Sequence, residues 1–102
     1  MSSDLTGPAG QVVDDIAHAV LAVPGVEDLH QGVHGEVATY LPGRRVHGIR
    51  LRESGCEIHV VLAWDSAVAG SSERIRAAAR PWVTGPIDVT VEDFAEPGGV
   101  SR

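Results

Sequence analysis

Five histidines, one cysteine and eight arginines carry most of the chemical reach of this chain, and most of them lie between Pro24 and Trp64. His30 and His34 are four apart, a spacing that on a helix would present two metal ligands side by side. Glycines at 32 and 35 place them in a loop instead, without an HExxH pattern or a second cysteine. They read as solvated loop histidines, and no metal or cofactor is expected. Gly32-Val33-His34-Gly35 matches the GxxG that clamps nucleic-acid backbones between two helices. Here it precedes an expected strand and is followed by Glu36, so it reads as coincidence. Cys56 has Glu57 and His59 close in sequence, but a nucleophilic cysteine needs a depressed pKa and an oriented base. Strand alternation turns His59 away from it, so no catalytic residue is expected. The best binding candidates are Tyr40, Arg44 and Arg45, gathered around Pro42-Gly43. Two guanidiniums on a short turn form a fork suited to a carboxylate, a phosphate or an acidic peptide. The plainer reading is a solvated turn with Arg45 stacked on Trp64.

These residues need elements to position them. From Ala9 to Val23, Val12, Val13, Ile16, Val20 and Val23 recur at helical spacing, with Asp14, Asp15 and His18 elsewhere. Pro8 suits the start of this helix and Pro24-Gly25 its end. Val26–Leu29 is a short strand or turn. Glu36–Leu41 reads as a strand with Val37, Thr39 and Leu41 on one side, and Pro42-Gly43 turns the chain. Val46–Glu53 and Cys56–Trp64 flank Ser54-Gly55 as a hairpin. Pairing Glu53 with Cys56 sets Leu51 against Ile58, Ile49 against Val60 and His47 against Leu62. Arg52 then faces Glu57, and Arg50 faces His59, on the polar side. His47 and His59 fall on opposite faces of the sheet in this pairing.

Asp65-Ser66 or Ser71-Ser72-Glu73 can cap a second helix, with Ile75, Ala78, Ala79, Trp82 and Val83 on one face. Pro81 kinks or ends it, since it lacks an amide hydrogen and clashes one turn back. Ile87–Phe94 alternates as a half-buried strand. Trp64 and Trp82 read as core or core-edge residues. The expected fold is α+β in two layers: a three- to four-stranded, mostly antiparallel sheet with two helices on one face, in the order α-β-β-β-α-β. It forms a single domain over 9–94, with flexible tails at 1–8 and 95–102.

At 102 residues the chain suits one domain with a real core. A single cysteine cannot close an internal disulfide, which fits a reducing cytoplasm. The amino terminus lacks the basic and apolar regions of a secretory signal, and no apolar run reaches membrane-span length. No direct membrane insertion is expected. The formal charge of -6 opposes a general grip on nucleic acid, which needs several cations to displace counterions.

The run IAHAVLAVPGVEDLHQGVHGEVATYLPGRRVHGIRL, then IHVVLAW and PIDVTVEDF, resembles the alkaline shock protein family. These are small cell-envelope stress proteins of Gram-positive bacteria, and the likeness is greatest to short actinobacterial members. It covers about Val12 to Phe94. Its marks are the helix ending in Pro24-Gly25-Val26, the strand around His59–Leu62, and Asp88-Val89-Thr90-Val91 after Gly85-Pro86. The resemblance implies a non-enzymatic cytoplasmic scaffold or binding module that acts through protein–protein contacts. It implies a protein partner such as a membrane anchor, self-association into a homo-oligomer, and membrane association through that partner alone. The competing expectation is a small-molecule or metal-binding regulator, or an enzyme subunit, using the His30/His34 loop.

Overall fold

The computed structural model describes residues 10–96. Helix α1 (Gly10–Leu21) buries Val13, Ile16 and Val20, the stripe that a 3.6-residue period places on one side. Helix α2 (Val68–Ala79) buries Ile75 and Ala79, and a 3-10 turn over Arg80–Trp82 begins where Pro81 stops the α-helical ladder. Both helices pack on one face of a sheet built around its longest inner strand.

That strand is β5 (Gly55–Ala63). Cys56, Ile58, Val60 and Leu62 point to the helices and are buried, while Glu57, His59, Val61 and Ala63 face the other way. Burying each of the aliphatic side chains contributes roughly 1.5–3 kcal/mol. Three strands pair with β5. β1 (Val26–Leu29) runs antiparallel against Val60–Leu62, and β4 (Ile49–Arg52) antiparallel against Gly55–Ile58. β6 (Ile87–Ala95) runs parallel along Cys56–Ala63, with a bulge between Val60 and Val61. A strand has two edges, so β1 and β4 share one of them end to end and β6 holds the other. Parallel neighbours need a crossover, which α2 supplies. The remaining strands, β2 (Ala38–Leu41) and β3 (Arg44–His47), pair only with each other as a separate hairpin.

The α+β class is as expected, but five strands lie between the helices. Val46–Glu53 is not one strand. Gly48 breaks it with φ +87°, and a Cβ there would lie 2.6 Å from Leu29 Cβ. The β4–β5 register also differs: Ile49 pairs with Ile58, Leu51 with Cys56, Arg50 with Glu57 and Arg52 with Gly55. Glu53-Ser54 is the turn. Gly55 belongs to the strand because the Pro86 carbonyl occupies the space of its missing side chain, 2.5 Å from where a Cβ would stand. The slip is two residues, so the side chains of β4 and β5 keep their expected faces. His47, expected opposite Leu62, instead lies exposed on β3 and pairs with Ala38.

Neither expected N-cap serves α2. Ala67 holds that position without a side-chain bond, Ser66 packs against Gly25, and Ser71 is buried inside the helix. Trp64 and Trp82 are 58% and 37% exposed, not core. The first lies just past the end of β5, the second on the 3-10 turn. Ala95, expected in a tail, pairs with Ala63 in the sheet. The rest of the expected tails, with Pro8 and Ala9, lies outside the described residues apart from Glu96. Among the described residues no helix is long and apolar enough to cross a membrane.

Candidate binding site

The β2–β3 hairpin positions the three residues singled out by the sequence. Pro42-Gly43 makes its turn, Leu41 pairs with Arg44, and Tyr40 pairs with Arg45. Arg45 therefore faces Tyr40 across the hairpin, not Trp64. The hairpin touches the rest of the molecule through specific anchors. The Arg44 guanidinium donates to both carboxylate oxygens of Asp14 on α1, at 3.1 and 3.0 Å. Such a fork fixes orientation, although both groups are partly exposed and the pair contributes under about 1 kcal/mol. The Thr39 hydroxyl donates to the Ile49 carbonyl at 2.6 Å and accepts the Leu51 amide at 3.1 Å. One side chain thus joins two sheets that share no backbone ladder. Arg45 donates to Gln31 at 3.2 Å and meets no carboxylate among the described residues.

Between the hairpin, the start of α1 and the end of β4 lies a cleft of about 490 Å³. Val13, Ala38, Leu41 and Leu51 give it an apolar floor, and Tyr40, Arg52 and Glu53 bring polar groups to it. This is the size range in which pockets enclose small molecules or single anchoring side chains. Tyr40, 63% exposed, is the expected residue that lines it. Arg44 holds the wall in place from outside, and Arg45 lies apart. Arg52 and Glu53 were not legible as site residues, because only the position of the hairpin turn brings them to the cleft.

The histidine loop is occupied with its own folding. His30 Nδ1 accepts the Gly32 amide at 2.9 Å. The Glu36 carboxylate takes the His34 amide at 2.9 Å, and backbone N–H groups of Glu36 itself and His34 hold this carboxyl below its ordinary range. His30 lines a shallow depression of about 280 Å³ with His47, not with His34. No group of three or more metal-ligating side chains occurs among the described residues.

On the sheet face away from the helices, Arg50 and Arg52 both approach Glu57, at 3.8 and 3.1 Å. His59 does not pair with Arg50. Its Nδ1 meets Glu92 on β6 at 2.6 Å, with both side chains under 20% exposed. Cys56 is buried on the opposite face, and burial followed by the Glu57 charge pushes its thiol up to about 11. A thiol so held is not a nucleophile near neutral pH.

No family model matches the chain, and no curated protein matches it. The chain is similar to a solved structure of a MamM variant at a TM-score of 0.54 and 15% identity, over 94% of this chain and 95% of that one. Likeness at that identity bears on the fold alone.

Proposed function

We propose that this chain is a non-enzymatic binding module of the kind seen in the alkaline shock proteins, recruited by protein–protein contact in envelope stress. The observation that carries this reading is the hairpin itself. It stands off the main sheet, is tethered by Arg44 and Thr39, and walls an apolar cleft with Tyr40 beside it. An aromatic residue next to an apolar recess is the kind of surface on which protein partners place their anchoring side chains. Arg45, outside the cleft but opposite Tyr40 across the hairpin and without a carboxylate partner among the described residues, offers a positive charge for an acidic residue of that partner. The chemistry-bearing groups elsewhere serve the fold: Cys56 is neutral and buried, and His59 is held by Glu92.

The test is quantitative recovery of the native partner, membrane fraction included, by the tagged protein and its variants. Tyr40→Ala combined with Arg45→Glu is expected to abolish recovery, and Arg44→Ala, which loosens the wall without removing the contact residues, to reduce it. Full recovery by the Tyr40/Arg45 variant places the contact elsewhere and overturns the reading.

A further inference from the structure

We propose that the outer edge of β6 is a second docking surface, which accepts an extended segment of a partner carrying alternating apolar and basic residues. The direction of the backbone groups along β6 follows from two hydrogen bonds. The Cys56 amide donates to the Pro86 carbonyl at 3.0 Å, and the Trp64 amide to the Ala95 carbonyl at 2.8 Å. In a parallel ladder alternate residues bond to the neighbour. Asp88 and Thr90 before the bulge, and Asp93 and Ala95 after it, therefore turn their main-chain groups towards β5. Ile87, Val89, Val91 and Phe94 turn theirs outwards.

Side chains cap the two ends of this outward row. Arg76 Nε donates to the Ile87 carbonyl at 3.0 Å, and the Phe94 amide donates to its neighbour Asp93 at 2.8 Å. Between the caps, Val89 and Val91 meet no backbone partner among the described residues, since β6 pairs with β5 alone. Open strand edges are normally blunted by lysine, proline or covering loops, because they template further pairing. Ile87–Ala95 contains neither residue, and its bulge lies beyond the open stretch.

Charge selects the occupant. Asp88 and Asp93 stand exposed on a strand with no basic residue, in a chain of formal charge -6, while Glu92 is taken by His59. A second copy brings the same carboxylates to the same edge and is repelled, whereas basic side chains on an added strand are attracted. Val89 and Val91, half-buried on the helix side, supply apolar positions for its alternate residues.

The probe is an acetylated, amidated peptide of alternating lysine and valine, about nine residues long to match the strand. It is titrated into the full chain and followed by amide NMR, fluorescence anisotropy and hydrogen exchange. The Val89 and Val91 amides are expected to shift and to exchange at least about tenfold more slowly when bound. Replacing lysine by glutamate in the peptide is expected to weaken binding at least about tenfold. Val91→Pro removes one outward amide and none of the bonds to β5, and is expected to weaken binding similarly. Methylating alternate amide nitrogens of the peptide makes the same test on the unaltered protein, so a folding defect in the proline variant does not protect the idea. Absence of binding, shifts confined to the Tyr40–Arg45 hairpin, or equal affinity for the glutamate peptide overturns it. So does self-association of the protein that Val91→Pro abolishes, since the occupant is then a second copy.

Discussion

Cys56 and Val60 sit four residues apart on one strand face and show what burial does to a thiol and to a methyl pair. The Cys56 thiol ionises near 9.0 when solvated and near 11 in the fold. Thiol reagents at pH 8 are therefore expected to leave the native protein unlabelled and to modify it fully in denaturant; rapid native labelling contradicts the burial. The raised value also sets a direction for stability. Above pH 9 the unfolded chain gives up this proton while the folded chain keeps it, so the stabilisation present below pH 9 is lost progressively up to pH 11. A Cys56→Ser variant is expected to lack that slope in denaturation measured across the range. Val60 has no accessible surface, and Val60→Ala is expected to cost about 1–4 kcal/mol, against under about 1 for Arg52→Ala at the surface. Chemical denaturation giving the reverse order contradicts the assigned faces. At this scale the sequence marked a group of residues and concealed their company. Tyr40, Arg44 and Arg45 were legible as a group because a Pro-Gly turn marks them. That Arg44 is fastened to Asp14, thirty residues earlier, depends on packing that no local spacing encodes.

The elements were legible where periodicity is long. α1, β5 and β6 follow from apolar spacing, and the helix-facing residues of β4 and β5 were assigned correctly despite the wrong pairing, since a slip of two preserves the faces. What the pattern hid was the purpose of each glycine. Ser54-Gly55 looks like a turn, yet Gly55 is there for the approach of Pro86. Gly48 looks like a residue within a strand, yet it ends one strand and begins another. Two substitutions separate these meanings. At Gly43 φ is +76° with nothing near a new Cβ, so Gly43→Ala is expected to cost about 1–2 kcal/mol for the left-handed backbone alone. At Gly48 a Cβ also strikes Leu29, and Gly48→Ala is expected to cost about 2–5 kcal/mol once overpacking is added. Equal denaturation midpoints for the two variants contradict a crowded Gly48.

Across the whole molecule, the shared edge of β5 deserves a second use. Leu29 is opposite Val60 and Ile49 is opposite Ile58, leaving one place between them, opposite His59. Two residues divide that place: the His30 amide donates to the His59 carbonyl, and the Gly48 carbonyl accepts the His59 amide. Everything from Gln31 to Gly48 leaves the edge at this point and returns to it without advancing the register. Val13, Val37, Ala38 and Leu41 are buried outside the main apolar cluster, which the hairpin meets through half-buried Val46. The hairpin is thus a graft on an otherwise continuous strand. Excising Gln31–Gly48 and joining His30 directly to Ile49 is expected to leave one uninterrupted strand along β5, with cooperative unfolding and the slowest amide exchange still at Ile58, Val60 and Leu62. Dye binding and loss of near-ultraviolet dichroism in the shortened chain would instead show the arm to be part of the foundation. Because the arm is inserted at a single place on the edge, the cleft wall can lengthen, shorten or change its residues while the scaffold beneath stays the same, and one body can be fitted to many partners.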